Sequence, residues 1–129
     1  VLFHGDSLTS GQPEIPLPHA DRYPPVAMGL LDSDADWANL GVSGRTLNDL
    51  LANVAEVDAC RRPLASSDIV VVWGGINDLV VDGATVENVI SRLTIYATGR
   101  RALGFKVIGV TIIAADEANP NIPSEFETQ

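Results

Sequence analysis

The stretch DIVVVWGG, residues 68–75, decides how the rest of this sequence is read. A strand with one wet face alternates apolar and polar residues, whereas Ile69 to Trp73 is apolar without interruption and is halted by Gly74 and Gly75. An uninterrupted run of that length bounded by turn residues reads as a strand covered on both faces, which belongs in the middle of a parallel sheet.

Outward from it, the same three features recur in order: a short β-branched or apolar run, a Gly-rich polar turn, and a segment of helical periodicity. That alternation is the mark of repeated βα units. VLFHG (1–5) is the first run. YPPVAMGLL (23–31) reads as a helix, its Pro24 and Pro25 tolerated only in the first turn. DADWANLG (34–41) is a weaker strand. Leu47, Leu50, Leu51, Val54 and Ala55 make an i, i+3, i+4, i+7 stripe, and Thr46 with Asp49 has the form of a capping box at its start. Val86, Val89, Ile90, Leu93 and Ala97 form the next stripe, with Gly104 as its stop, and KVIGVTIIA (106–114) is the following strand. SEFETQ (124–129) looks like the first turn of another helix, capped by Ser124. The Pro-rich segment from Gln12 to Pro25 is a rigid loop and helix start inside this pattern, not a linker, so residues 1–129 are expected to form one domain.

Composition narrows the function classes. A net charge of −9 with only 8 Lys and Arg argues against a nucleic-acid surface, and no apolar run approaches the ~18 residues of a membrane span. Cys60 is the only cysteine, which rules out an intrachain disulfide; it is expected to be a buried or half-buried apolar residue. No Cys/His metal array occurs, GDSLTSGQ lacks the spacing and Lys of a phosphate-binding P-loop, and no G-x-G-x-x-G follows a strand. No metal and no cofactor are expected. The chain begins without Met and already in a strand, so sequence before Val1 is expected to be missing or removed; the compartment stays open.

In open parallel sheets ligands bind beyond the carboxyl ends of the strands. Those ends lead into GDSLTSG (5–11), NLGVSGRT (39–46), GGIND (74–78) and AADEANPN (114–121). Three of these loops combine glycine with hydrogen-bonding side chains. A serine just past a strand end can present its hydroxyl at the rim, and Ser7 has that place. Acyl transfer further needs donors for a developing oxyanion, for which a glycine backbone such as Gly44 and a fixed amide such as Asn77 would serve beside the Ser7 N–H.

GDSLTSG, NLGVSGRT and GGIND resemble, in order, the first three sequence blocks of the GDSL or SGNH hydrolase superfamily. The resemblance covers residues 5–78. It implies a flavodoxin-like three-layer α/β/α sandwich, in agreement with the βα reading, and a serine esterase or lipase acting on small-molecule carboxylic esters. It implies Ser7 as nucleophile and Gly44 and Asn77 as oxyanion donors, with Gly41 a weaker choice for the second block. The family's fourth block, Asp-x-x-His, supplies the base, and this sequence contains none. The 129 residues are therefore expected to be an incomplete domain lacking a last strand and helix, inactive by itself.

The chain's own histidines do not fill the gap. His4 lies within the first strand and should face the sheet, hydrogen-bonded beneath the nucleophile loop; His19 sits in the Pro-rich loop. Asp6 reads as an acceptor for loop N–H groups, Asp78 as a cap for the helix or turn after GGIN, Arg45 as a solvated residue, and Trp37 and Trp73 as core. The competing function is a non-catalytic module that keeps the fold to bind a carbohydrate or acyl group.

Overall fold

The computed structural model describes residues 1–11, 18–31, 35–62, 68–110 and 112. In chain order these form β1 (Leu2–Gly5), α1 (Ser7–Ser10), a 3-10 turn (His19–Asp21), α2 (Tyr23–Leu30), β2 (Ala38–Asn39), α3 (Leu47–Ala52), α4 (Val54–Ala59), β3 (Ile69–Trp73), α5 (Ile76–Val80), α6 (Val86–Ala102) and β4 (Lys106–Gly109). The expected helix at 124–129 and the end of the run at 106–114 lie outside the described residues.

The strands make a parallel sheet in the order β2-β1-β3-β4. β3 is internal, as its unbroken apolar run predicts, pairing Val70 with Leu2 on one side and with Val107 on the other. From β1 the chain steps outward to β2, and from β3 it steps outward to β4. The reversal places a topological switch point between β1 and β3, where crevices form at the carboxyl edge of such sheets.

Strand alternation divides the core. Leu2, Val70 and Val72 pack on one face with Leu47, Leu50, Val57, Val89, Tyr96 and Phe105 from α3, α4, α6 and the α6–β4 turn. Phe3 and Val71 turn to the other face, under Met28 of α2 with Tyr23 and Trp37. Helices on both sides of a parallel sheet make the α/β sandwich of three layers. Each fully buried Leu, Val or Phe contributes roughly 1.5–3 kcal/mol relative to exposure.

Local signals held where they were strongest. The Thr46 hydroxyl accepts from the Asp49 N–H, and the Asp49 carboxylate accepts from the Thr46 N–H, completing the capping box. Gly104, at φ +93°, stops α6. Three expectations needed correction. The 47–55 stripe is two helices, broken at Asn53, which leaves helical geometry at φ −106° and ψ +19° while its backbone N–H and its side-chain amide both donate to the Asp49 carbonyl; Val57 is buried and Ala55 exposed. In α6 the inward face carries Val89, Tyr96 and Arg100, leaving Val86 and Ile90 exposed. Cys60 is exposed, at the C-terminal cap of α4, where its thiol donates to the Glu56 carbonyl.

Candidate active site

Two polar turns meet at the switch point. The first begins at the end of β1: Asp6 caps α1, its Oδ1 accepting from the Leu8 N–H at 2.9 Å, and Ser7 occupies the first helical position. An N–H in that position has no acceptor within the helix. Gly11, at φ +66°, ends the single turn, with its N–H on the Ser7 carbonyl. Asp6 has the expected part of loop organiser. Its carboxyl is buried, and burial lifts its pKa above the ordinary carboxylate value despite the Leu8 hydrogen bond. Among the described residues Asp6 Oδ2 has no hydrogen-bond partner. A narrow cleft lined by Asp6, Leu8, Trp73, Gly74, Ile76 and Ile112 runs between this turn and the end of β3.

The second polar turn is Val42 to Arg45, closed by the Arg45 N–H on the Val42 carbonyl. Gly44 stands at its third position with φ +81°, a left-handed conformation that favours glycine. Nothing lies within 4 Å of where a Gly44 Cβ would be, and among the described residues its N–H meets no acceptor. Gly41 differs. Its N–H is held by Asn39 Oδ1 at 2.9 Å, and a Cβ there would stand 2.5 Å from the Ser10 nitrogen. Gly41 is a contact point for α1, with its donor already used.

Asn77 enters from α5, which starts after Gly75 at φ +117°. Its Nδ2 donates to the Arg45 carbonyl at 2.8 Å, next to Gly44. One amide hydrogen is thereby fixed, and among the described residues the other meets no acceptor. The neighbouring Asp78 corrects the sequence reading: it does not cap its own helix. Its Oδ2 accepts from the Leu47 N–H at 2.8 Å, capping α3, and its Oδ1 takes a 2.6 Å ion pair from Arg92 of α6. Capping α3 from α5 ties the second loop to the third.

Below these loops, His4 is fully buried, its ring turned to the α6 face. Nδ1 lies 2.7 Å from the Tyr96 hydroxyl and Nε2 lies 3.4 Å from Arg45 NH1. Guanidinium can only donate, so Nε2 carries the lone pair and Nδ1–H donates to Tyr96. Burial, with Arg45 adding to it, pushes the His4 pKa down to about 4. Both ring nitrogens are engaged, as expected of a hydrogen-bonded residue beneath the loop that follows β1. His19 packs on Trp37, which precedes β2, the strand beside β1. Trp37 and Trp73 are half-buried, in edge contacts with Phe3 and Tyr23 respectively.

Arg45 is not the solvated residue that the sequence suggested. Its side chain is only 14% exposed and forms a two-pronged pair with Glu56 of α4, at 3.0 and 2.9 Å. That bond raises the Arg45 pKa and lowers that of Glu56. Sequence reasoning missed Glu56 and Tyr96 altogether, for neither lies in a loop following a strand.

The parallel sheet, with helices on both faces and polar turns at its carboxyl edge, defines an α/β protein of the doubly wound class. More narrowly, the GDSL-like lipase/acylhydrolase family model matches residues 3–128, and the chain belongs to that family. Among solved structures, it is similar to AlinE4, an SGNH-hydrolase family esterase, at 22% identity and TM-score 0.72, over 98% of this chain and 66% of AlinE4. A G-D-S-L family protein from Desulfitobacterium hafniense DCB-2 gives 19% identity and TM-score 0.71, over 97% and 65% of the two chains. A member of the lipolytic protein G-D-S-L family from Veillonella parvula DSM 2008 gives 20% and 0.64, over 84% and 55%. At these identities the likeness bears on the fold. The chain spans just under two thirds of the length of the first two and about half of the third. Comparison with curated proteins finds no match.

Proposed function

We propose that Ser7 is the nucleophile of a carboxylic-ester hydrolase whose oxyanion is held by the N–H groups of Ser7 and Gly44 and by the Asn77 amide. The observation that carries this reading is the fixed Asn77 amide, one hydrogen tied to the Arg45 carbonyl beside Gly44 and the other without an acceptor among the described residues. Gly41 is set aside because its N–H is already bound.

In this reading Ser7 Oγ attacks the ester carbonyl carbon, the carbonyl oxygen becomes an alkoxide among the three donors, and a base passes the serine proton to the departing alcohol. Water then cleaves the acyl-Ser7 ester by the same route. Donors held in place before the reaction spend nothing on reorganisation when charge develops. Neither histidine suits the base, since both His4 nitrogens are engaged and the His19 ring packs on Trp37 ahead of β2. The base is proposed to lie outside these 129 residues, which by themselves are expected to turn esters over slowly or not at all. The substrates are small acyl or acetyl esters, with no metal or cofactor.

The test is p-nitrophenyl acetate hydrolysis by the full-length protein. Asn77→Ala should lower kcat by about a hundredfold or more with little change in KM, the usual signature of a lost oxyanion donor. A rise in KM at constant kcat would place Asn77 in ground-state binding and remove it from the oxyanion hole. Absence of turnover in the full-length protein, with ester analogues still binding, would favour the non-catalytic module.

A further inference from the structure

The ion pair between Arg45 and Glu56 sits where an ordinary surface pair would have little meaning. Exposed pairs contribute on the order of 0–1 kcal/mol and leave their side chains mobile. Here the guanidinium is largely covered and forked onto both Glu56 oxygens, with a third contact at 3.5 Å to the Leu40 carbonyl and a fourth at 3.4 Å to His4 Nε2. Planar two-pronged pairing fixes direction as well as distance. The residue so held has one free main-chain oxygen to offer, and that oxygen accepts the Asn77 amide. Its preceding neighbour is Gly44, in a conformation that depends on the Val42–Arg45 turn staying closed.

Resting on the oxyanion reading above, we propose that Arg45 and Glu56 are positioning residues: the clamp on the Arg45 side chain holds its carbonyl where it orients the Asn77 amide. The loop then has two ties to α5, Asn77 Nδ2 to the Arg45 carbonyl and Leu47 N–H to Asp78, and one to α4 through Glu56. The ties to α5 fix where the loop sits. The tie to α4 stops the loop from turning about them. Releasing Glu56 lets the Arg45 peptide rotate, and the Asn77 amide loses a single preferred orientation. Since only the transition state carries full charge on the oxygen, that loss falls on kcat and spares KM.

The experiment is a double-mutant cycle on the full-length protein, with p-nitrophenyl acetate as substrate. Glu56→Gln keeps size and polarity at a half-exposed position, and Arg45→Lys keeps charge without the fork. Each should lower kcat by about tenfold with KM changed less than about twofold, and neither should add more than about twofold to the loss in an Asn77→Ala background. A full tenfold loss persisting in that background, or a loss confined to KM, overturns the clamp.

Asn77 side-chain amide signals in a ¹H–¹⁵N spectrum give a readout independent of turnover. They should be two distinct, sharp peaks in the native protein and should move together or broaden in Glu56→Gln. Unchanged peaks refute the proposal. If Asn77→Ala leaves kcat intact while these peaks do respond, the oxyanion assignment fails and the clamp stands.

Discussion

His4 should make the protein's stability sensitive to pH in a way that one substitution removes. Its ring is held neutral in the fold with a pKa of about 4, against 6.5 in the unfolded chain. Below 6.5 the unfolded state binds the proton more readily, so the contribution of the neutral ring is fully present above that value and is lost as pH falls toward about 4. The complete difference corresponds to about 3 kcal/mol, of which about 2 kcal/mol should be gone on moving from pH 7.5 to pH 5. Asp6 contributes in the opposite sense, because burial raises its pKa. The quantity to measure is therefore a difference: urea unfolding of the native protein and of His4→Gln at both pH values. His4→Gln should be the less stable of the two at pH 7.5, having lost the Tyr96 and Arg45 contacts, and should show a pH dependence flatter by about 2 kcal/mol. Parallel curves for the two proteins would mean that His4 is not held neutral and that the buried network is misassigned.

Asp78→Asn should cost about 3 kcal/mol or more in chemical denaturation, because it leaves Arg92 without its counter-charge and weakens the cap on α3. Thr46→Ala should cost about 1 kcal/mol by removing the capping box, again read from the unfolding midpoint. Gly41→Ala should lower the melting temperature, since its Cβ would meet the α1 backbone at 2.5 Å; Gly44→Ala meets no such obstacle and should show only the cost of its positive φ.

Much of the architecture could be read along the chain, and the reason differs from element to element. Burial on both faces of β3 writes itself as an unbroken apolar run, and a capping box is complete within four consecutive residues, so neither needs tertiary knowledge. The loops after the strands were legible for a similar reason: a polar group beside a glycine at a strand end has few structural uses. What failed was pairing across distance. His4 and Tyr96 are separated by 92 positions, and Asp78 caps a helix that begins 31 residues before it, so local rules assigned Asp78 to its own helix. Arg45 was misjudged because a side chain beside a helix start looks solvated until α4 brings Glu56 to it. The α6 stripe is misphased because Tyr96 and Arg100 count as surface residues by type, yet one finds His4 and the other Asp58.

The central claim is that the hydroxyl of Ser7 forms the acyl bond. Its most direct test is to trap full-length protein during p-nitrophenyl acetate turnover by acid quench and map the acetyl group by peptide mass spectrometry, alongside turnover by Ser7→Ala. The account predicts acetyl on the peptide containing Ser7 and turnover reduced to background in Ser7→Ala. Acetyl on a different residue, or Ser7→Ala turning over at the native rate, would contradict it.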